Sequence, residues 1–380
     1  MMQIHISSQT HVRYKQLDSL RGLAALCVFF SHCFITYNLN GSWIKILMAS
    51  PLGILINGRA AVMFFFVLSG FVLSLPYIYG ERPLKLIEFY IKRVFRIYPA
   101  YLAIILIAVL LKTFIYDDNA MFPFSEWIKE FWHWEWNSSY FLETIKTFLL
   151  IGPNFNADLI DPVIWSLVVE MKMSIILPFF IIIVSRSNLT FNILFFILVL
   201  ALIYNHQTGF LGVFYLGILS AKYKEQLSEL VRSWSVPFVL FMLAVALFLY
   251  NVSYEFFKPY GDRAHPFAYF WRDYLNSIGG TIIIIIAIAR KRITSFFDVP
   301  VFTFIGNISY SFYLFHVPLL ITICSLISAK LGGSRFYIFG STLLLSVSLS
   351  YMSYRYIELP FQNHAKSFIK KIPGISRLHI

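Results

Sequence analysis

The sequence predicts an all-α, polytopic integral membrane protein with about ten transmembrane helices and both termini in the cytoplasm. Three observations carry that expectation. The 380-residue chain is 58% hydrophobic and 13% charged, with a mean hydropathy of +0.71, a balance that would not keep it dissolved in water. Apolar runs close to the roughly 20 residues that cross a hydrocarbon core recur along the whole length. Lys and Arg gather in alternate connections between those runs.

The spans are expected near 20–38, 59–79, 97–115, 163–184, 190–205, 208–222, 236–252, 271–289, 301–328 and 337–355. The segment through Gln16 is polar and lacks a small-residue cleavage site, so the first span should remain as a membrane helix. Arg13, Lys15 and Arg21 begin the basic set, followed by Arg82, Lys85, Lys92, Arg93 and Arg96, then by later clusters such as Arg290–Arg292 and Lys366–Lys371. The positive-inside rule puts these segments in the cytoplasm. Residues 116–146, rich in Asp and Glu, should lie outside, with Trp127, Trp132, Trp134 and Trp136 as an interfacial belt. No soluble domain, repeat or linker is apparent, so residues 1–380 read as one membrane domain. The net charge of +12 is explained by insertion and implies no nucleic-acid partner. Cys27, Cys33 and Cys324 lie in apolar stretches, spaced for neither a disulfide framework nor a zinc site, and read as small buried hydrophobes.

Ionisable groups at membrane depth are costly, so each is a functional candidate. Arg21 and His32 are eleven residues apart, close to three helical turns, so they share a face with Arg21 at the cytoplasmic border and His32 near mid-membrane. A neutral imidazole there could take a proton from a hydroxyl; alternatively it is a lone His bonded to a backbone carbonyl. In the second span Ser69 and Gly70 permit close approach of a helix or a ligand. Arg93 and Arg96 share a helix face at the cytoplasmic border, where they could grip nucleotide phosphates or anchor to anionic lipid. Trp165, Ser166 and Glu170 can line one stripe, and Glu170 needs a partner, either His32 or an arginine. In the ninth span Asn307, Ser309, Tyr310 and His316 are too polar to face lipid on all sides, so one side should border a hydrated cavity, with His316 a second candidate for substrate contact. Glu358 and Pro360 read as a stop signal and a surface salt bridge. No metal-ligand cluster with plausible spacing and no Gly-x-Ser-x-Gly elbow is present.

Taken in order, Arg21 to His32, Phe65 to Phe71, Arg93 to Arg96, Trp165 to Glu170, Gly306 to Pro318 and Glu358 to Pro360 resemble the acyltransferase-3 family of membrane acyltransferases, which includes O-antigen and exopolysaccharide O-acetyltransferases. The resemblance implies a bacterial inner-membrane enzyme with a cytoplasmic acyl-CoA donor, acetyl-CoA above all, no metal, and a polysaccharide or lipid-linked glycan acceptor at the other face. It implies that Arg21 and His32 are the catalytic pair, with Glu170 lining the acyl or acceptor cavity; the mechanism expected from these residues has Glu170 help His32. By the same likeness Arg93 and Arg96 bind coenzyme A phosphates, and Ser69, Trp165, Ser166, Tyr310 and His316 line the acyl or acceptor cavity. Some family members carry an extra hydrolase-like domain after the last span, for which this chain is expected to lack the length. The rival class is a proton-coupled exporter, since His, Glu and Arg at membrane depth also build proton relays; it predicts internal repeats and broken helices, which the sequence does not display.

Overall fold

The computed structural model describes residues 14–37, 46–48, 50–79, 83–121, 124–150, 156, 158–201, 206–252, 266–331 and 334–372. Among these residues there is no strand; the chain is helical throughout. The principal helices are α1 (Lys15–Thr36), α2 (Gly58–Ile78), α3 (Leu86–Phe114), α4 (Ser138–Leu149), α5 (Ile164–Arg186), α6 (Leu189–Ala201), α7 (His206–Lys222), α8 (Lys224–Ser233), α9 (Val236–Tyr250), α10 (Pro266–Ala289), α11 (Pro300–Leu331), α12 (Arg335–Ser353) and α13 (Leu359–Lys371). Seven described helical segments are long and apolar enough to cross a membrane, and α6, α9 and residues 209–222 of α7 are shorter apolar helices. Each expected span therefore falls on a helix, although residues 38 and 202–205 of those spans lie outside the described residues, as do Arg13, Arg82 and Arg377.

Two boundaries differ from expectation. The basic stretch before the third span and the span itself form the single 29-residue helix α3, because Leu86–Pro99 has no glycine to break the helix and Pro99 is accommodated within it. The helix at the tenth expected span does not stop at 355 but runs through a π-helical turn, Tyr354–Glu358, into α13.

Helix α11 is the inner helix, with 83% of its most apolar window buried, so its polar residues face protein rather than lipid. It packs on α1, α12 and α3, while α2 packs on α1, α7 and α10. Association of helices in lipid relies on close packing rather than on the hydrophobic effect, and small residues permit it. At the α1–α11 contact a Cβ on Gly22 would stand 2.6 Å from the Gly306 backbone nitrogen, and one on Gly306 would collide with the Asp18 carbonyl. Leucine at 306 is therefore expected to force α1 and α11 apart, lowering stability by at least about 1–3 kcal/mol. Thermal unfolding of the detergent-solubilised variant measures it.

The tryptophans of 116–146 do not form the expected belt. Trp132 and Trp134 are buried, and only Trp136 is appreciably exposed. The reason is Lys112, whose ammonium donates to the Trp132 and Trp134 carbonyls at 2.7 Å each, folding the segment back onto the helix ends. Trp132 takes a left-handed conformation (φ 64°) and donates its indole N–H to the Ile160 carbonyl. The three cysteines are buried and free, as expected.

Candidate active site

Two cavities, each of about 330 Å³, lie along the α1–α11 seam. The first is lined by Arg21, Ser69, Arg93, Arg96, Ser166, Glu170 and Tyr310 among others. Helical spacing brings them there: Arg93 and Arg96 project from one face of α3, Ser166 and Glu170 from one face of α5. Glu170 takes the arginine among its two expected partners, accepting from Arg93 at 2.5 Å, while Ser174, one turn on, accepts from Arg93 Nε at 3.0 Å. Arg21 donates to the Ser309 hydroxyl at 3.0 Å and to the Gly306 carbonyl at 2.8 Å, which ties the start of α1 to α11.

Arg96 pairs with Glu358, and its guanidinium lies over the Tyr310 ring, 5.2 Å from the centroid. Glu358 was expected at the surface, but it is 1% exposed. The π-helical turn rotates it inward, where Arg96 and the Ser311 hydroxyl, 2.6 Å away, satisfy its two oxygens. Arg93 and Arg96 are thus each committed to a carboxylate, although a guanidinium has five N–H donors and retains some beyond that pairing.

The second cavity is lined by His32, Ser31, Asn57, Arg59, Trp165 and Arg272, with others. His32 Nδ1 lies 2.8 Å from Nε2 of His316. The Trp127 ring stacks on the His32 imidazole, with centroids 5.1 Å apart and planes 17° from parallel. The residue read as part of an interfacial belt thus covers the imidazole. His316 is fully buried, lines neither cavity and stands behind His32. Arg59 holds Asp273 with two hydrogen bonds, at 3.1 and 2.5 Å, and lies over the Trp165 ring at 5.0 Å.

Val62 and Tyr313 line both cavities and so form the wall that the two share. The Tyr313 hydroxyl is 2.8 Å from the Ser166 hydroxyl, so this pair bridges α11 and α5 at that wall. Of the ten residues singled out from sequence, seven border the first cavity, His32 and Trp165 border the second, and His316 borders neither. Sequence reasoning missed Tyr313, Arg59 and Asp273. Arg59 and Asp273 are ionisable groups next to and within apolar spans, the same signal that marked Glu170.

Ahead of α5, outside the spans, burial pushes the Asp158 carboxyl up to about 6 and the Asp161 carboxyl well above the usual range. A carboxyl whose folded pKa lies above its unfolded value stabilises the fold only while protonated. Stability from Asp158 is therefore lost as pH rises from about 4 to about 6. Asp158→Asn is expected to raise the melting temperature near pH 7 and to leave it unchanged near pH 4, as thermal scans at the two values measure. Among the described residues no group of three or more His, Cys, Asp or Glu could hold a metal ion.

An inner helix bearing polar groups, arginine–carboxylate pairs at one cavity and an imidazole at the next thus gather ionisable side chains inside an apolar helical bundle. The acyltransferase-3 family model, an acyltransferase domain, matches residues 14–355, and the chain belongs to that family. It is 24% identical over 391 residues to the O-acetyltransferase OatA of Staphylococcus aureus, an alignment covering 94% of this chain and 59% of that protein. It is 25% identical over 399 residues to the peptidoglycan O-acetyltransferase OatA of Listeria monocytogenes, covering 95% of this chain and 59% of that protein. The chain thus spans about three fifths of the length of these curated relatives. No solved structure matches it.

Proposed function

We propose that this chain is a ten-span O-acyltransferase of a bacterial cytoplasmic membrane, a single membrane domain with both termini inside, which moves an acetyl group from acetyl-CoA to a hydroxyl of a cell-surface glycan. The observation that carries the reading is the pair of neighbouring cavities that share Val62 and Tyr313, one bordered by Arg21, Arg93 and Arg96 and the other by His32. The positive-inside rule supports a cytoplasmic setting for the first cavity, on the side where acetyl-CoA is available. Its volume suits the thioester end of coenzyme A rather than the whole molecule, so the nucleotide stays at the cytoplasmic rim with its phosphates near the remaining N–H groups of Arg93 and Arg96.

The acceptor hydroxyl enters the second cavity from the opposite face and meets His32. The imidazole Nε2 takes the hydroxyl proton as the oxygen attacks the thioester carbonyl; the tetrahedral intermediate expels the coenzyme A thiolate, which recovers the proton from His32. Glu170 acts through Arg93, holding its guanidinium in place, rather than through His32. A glycan acceptor, whether polysaccharide or lipid-linked, is supported by the peptidoglycan named for the Listeria monocytogenes relative.

Membranes containing the chain, incubated with acetyl-CoA labelled in the acetyl group, are expected to transfer label to an alkali-labile ester in the glycan fraction. Label that stays in coenzyme A, at matched protein level and with native acceptor present, contradicts the proposal.

A further inference from the structure

We infer that His316 is a positioning residue that locks His32 in a single tautomer, with its proton on Nδ1 and a free lone pair on Nε2. The inference rests on the acyl-transfer reading above and names the element that makes His32 a base. His316 Nδ1 lies 3.3 Å from the Phe312 carbonyl, one helical turn back in α11. A carbonyl only accepts, so His316 carries its proton on Nδ1 and presents an unprotonated Nε2. That nitrogen is the one 2.8 Å from His32 Nδ1, so it accepts, and His32 donates. The remaining His32 nitrogen, Nε2, has no hydrogen-bond partner among the described residues, and His32 borders the second cavity.

The arrangement is fixed on every side. His316 is fully buried against the rings of Phe29, Phe312 and Tyr313. Trp127 stacks on His32, and the Thr36 hydroxyl bonds the His32 carbonyl at 2.8 Å. Helices α1 and α11 run in the same direction here, with Arg21 joined to Ser309 and His32 to His316, so their register sets the imidazole pair. During transfer the acceptor proton arrives at His32 Nε2 and leaves to the thiolate. The His316 proton stays on Nδ1 throughout, and its Nε2 accepts from the imidazolium that forms. Fixing a tautomer through a second acceptor is a general device of catalytic and metal-bound imidazoles.

Four variants in membranes, at matched protein level and with thermal unfolding recorded, test the inference. Glutamine at 316 keeps an acceptor oxygen, whereas phenylalanine keeps the ring volume and removes the acceptor. His316→Gln is expected to retain kcat within about tenfold of wild type. His316→Phe should lose about 100-fold or more in kcat, with KM for acetyl-CoA within about twofold. A purely structural role predicts the reverse order, since phenylalanine suits an apolar site better; that result overturns the inference, as does wild-type kcat in both variants. If both fall to the level of His32→Ala while still folded, His316 moves a proton of its own and the inference is again overturned. Should glutamine prevent folding, added imidazole must restore His316→Ala, and its failure to do so counts against the proposal. If His32→Ala itself transfers acetyl normally, the acyl-transfer reading fails rather than the tautomer.

Discussion

Replacing His32 by alanine is expected to lower acetyl transfer by about 10²–10⁴-fold, the range over which a positioned general base contributes. The cause is specific to place. His32 borders the second cavity, which shares Tyr313 with the first, with one nitrogen committed to His316 and the other available. Alanine removes the base, and water in the same volume is a far weaker proton acceptor. Because His32 borders the second cavity and the donor is proposed to occupy the first, KM for acetyl-CoA should change little while kcat falls. Steady-state kinetics on membranes with matched protein levels separate the two. A parallel rise in KM with kcat unchanged would make His32 a binding group, contrary to this account.

Glu358→Ala is expected to destabilise the protein by about 3–5 kcal/mol, because it strands the Arg96 guanidinium without its carboxylate. Glu358 is buried, receives the Ser311 hydroxyl and pairs with Arg96, so three elements, α3, α11 and the π-helical turn, converge on one side chain. Removing both charges together costs less than removing one, since desolvating an ion pair consumes most of its attraction. Arg96→Met combined with Glu358→Met should therefore unfold at a higher temperature than Glu358→Ala, while still losing transfer if Arg96 also serves the donor. Thermal unfolding in detergent, read beside the transfer assay, distinguishes the structural part of the pair from its functional part.

What could be read from the sequence was whatever a helix determines by itself. The apolar runs each fall on a helix, seven helical segments being long and apolar enough to cross a membrane, and the eleven-residue interval from Arg21 to His32 put on one face two side chains that both meet α11. The partner of Glu170 depended on which helix packs beside α5, so the sequence left two candidates and the fold selected Arg93. Glu358 was misread because a π-helical turn has no sequence signature comparable to a cap, and the residue at the end of that turn is buried. Trp127 has the composition of an interfacial belt, and only the folding back of its segment onto Lys112 and the helix ends brings it over His32. His316 was flagged by its polarity at depth, yet which side chain it meets is decided by the register of α1 against α11, which periodicity does not reveal.

The central claim is that a donor held on the cytoplasmic side is connected to an acceptor at the opposite face across the shared wall at Tyr313. Sealed vesicles of defined orientation test it most directly, with labelled acetyl-CoA supplied to one side only. Inverted vesicles, which expose the cytoplasmic face, should transfer label to glycan enclosed in the lumen, whereas right-side-out vesicles given the same external donor should not. Equal labelling in both orientations, or labelling of glycan only on the donor's own side, would contradict the account.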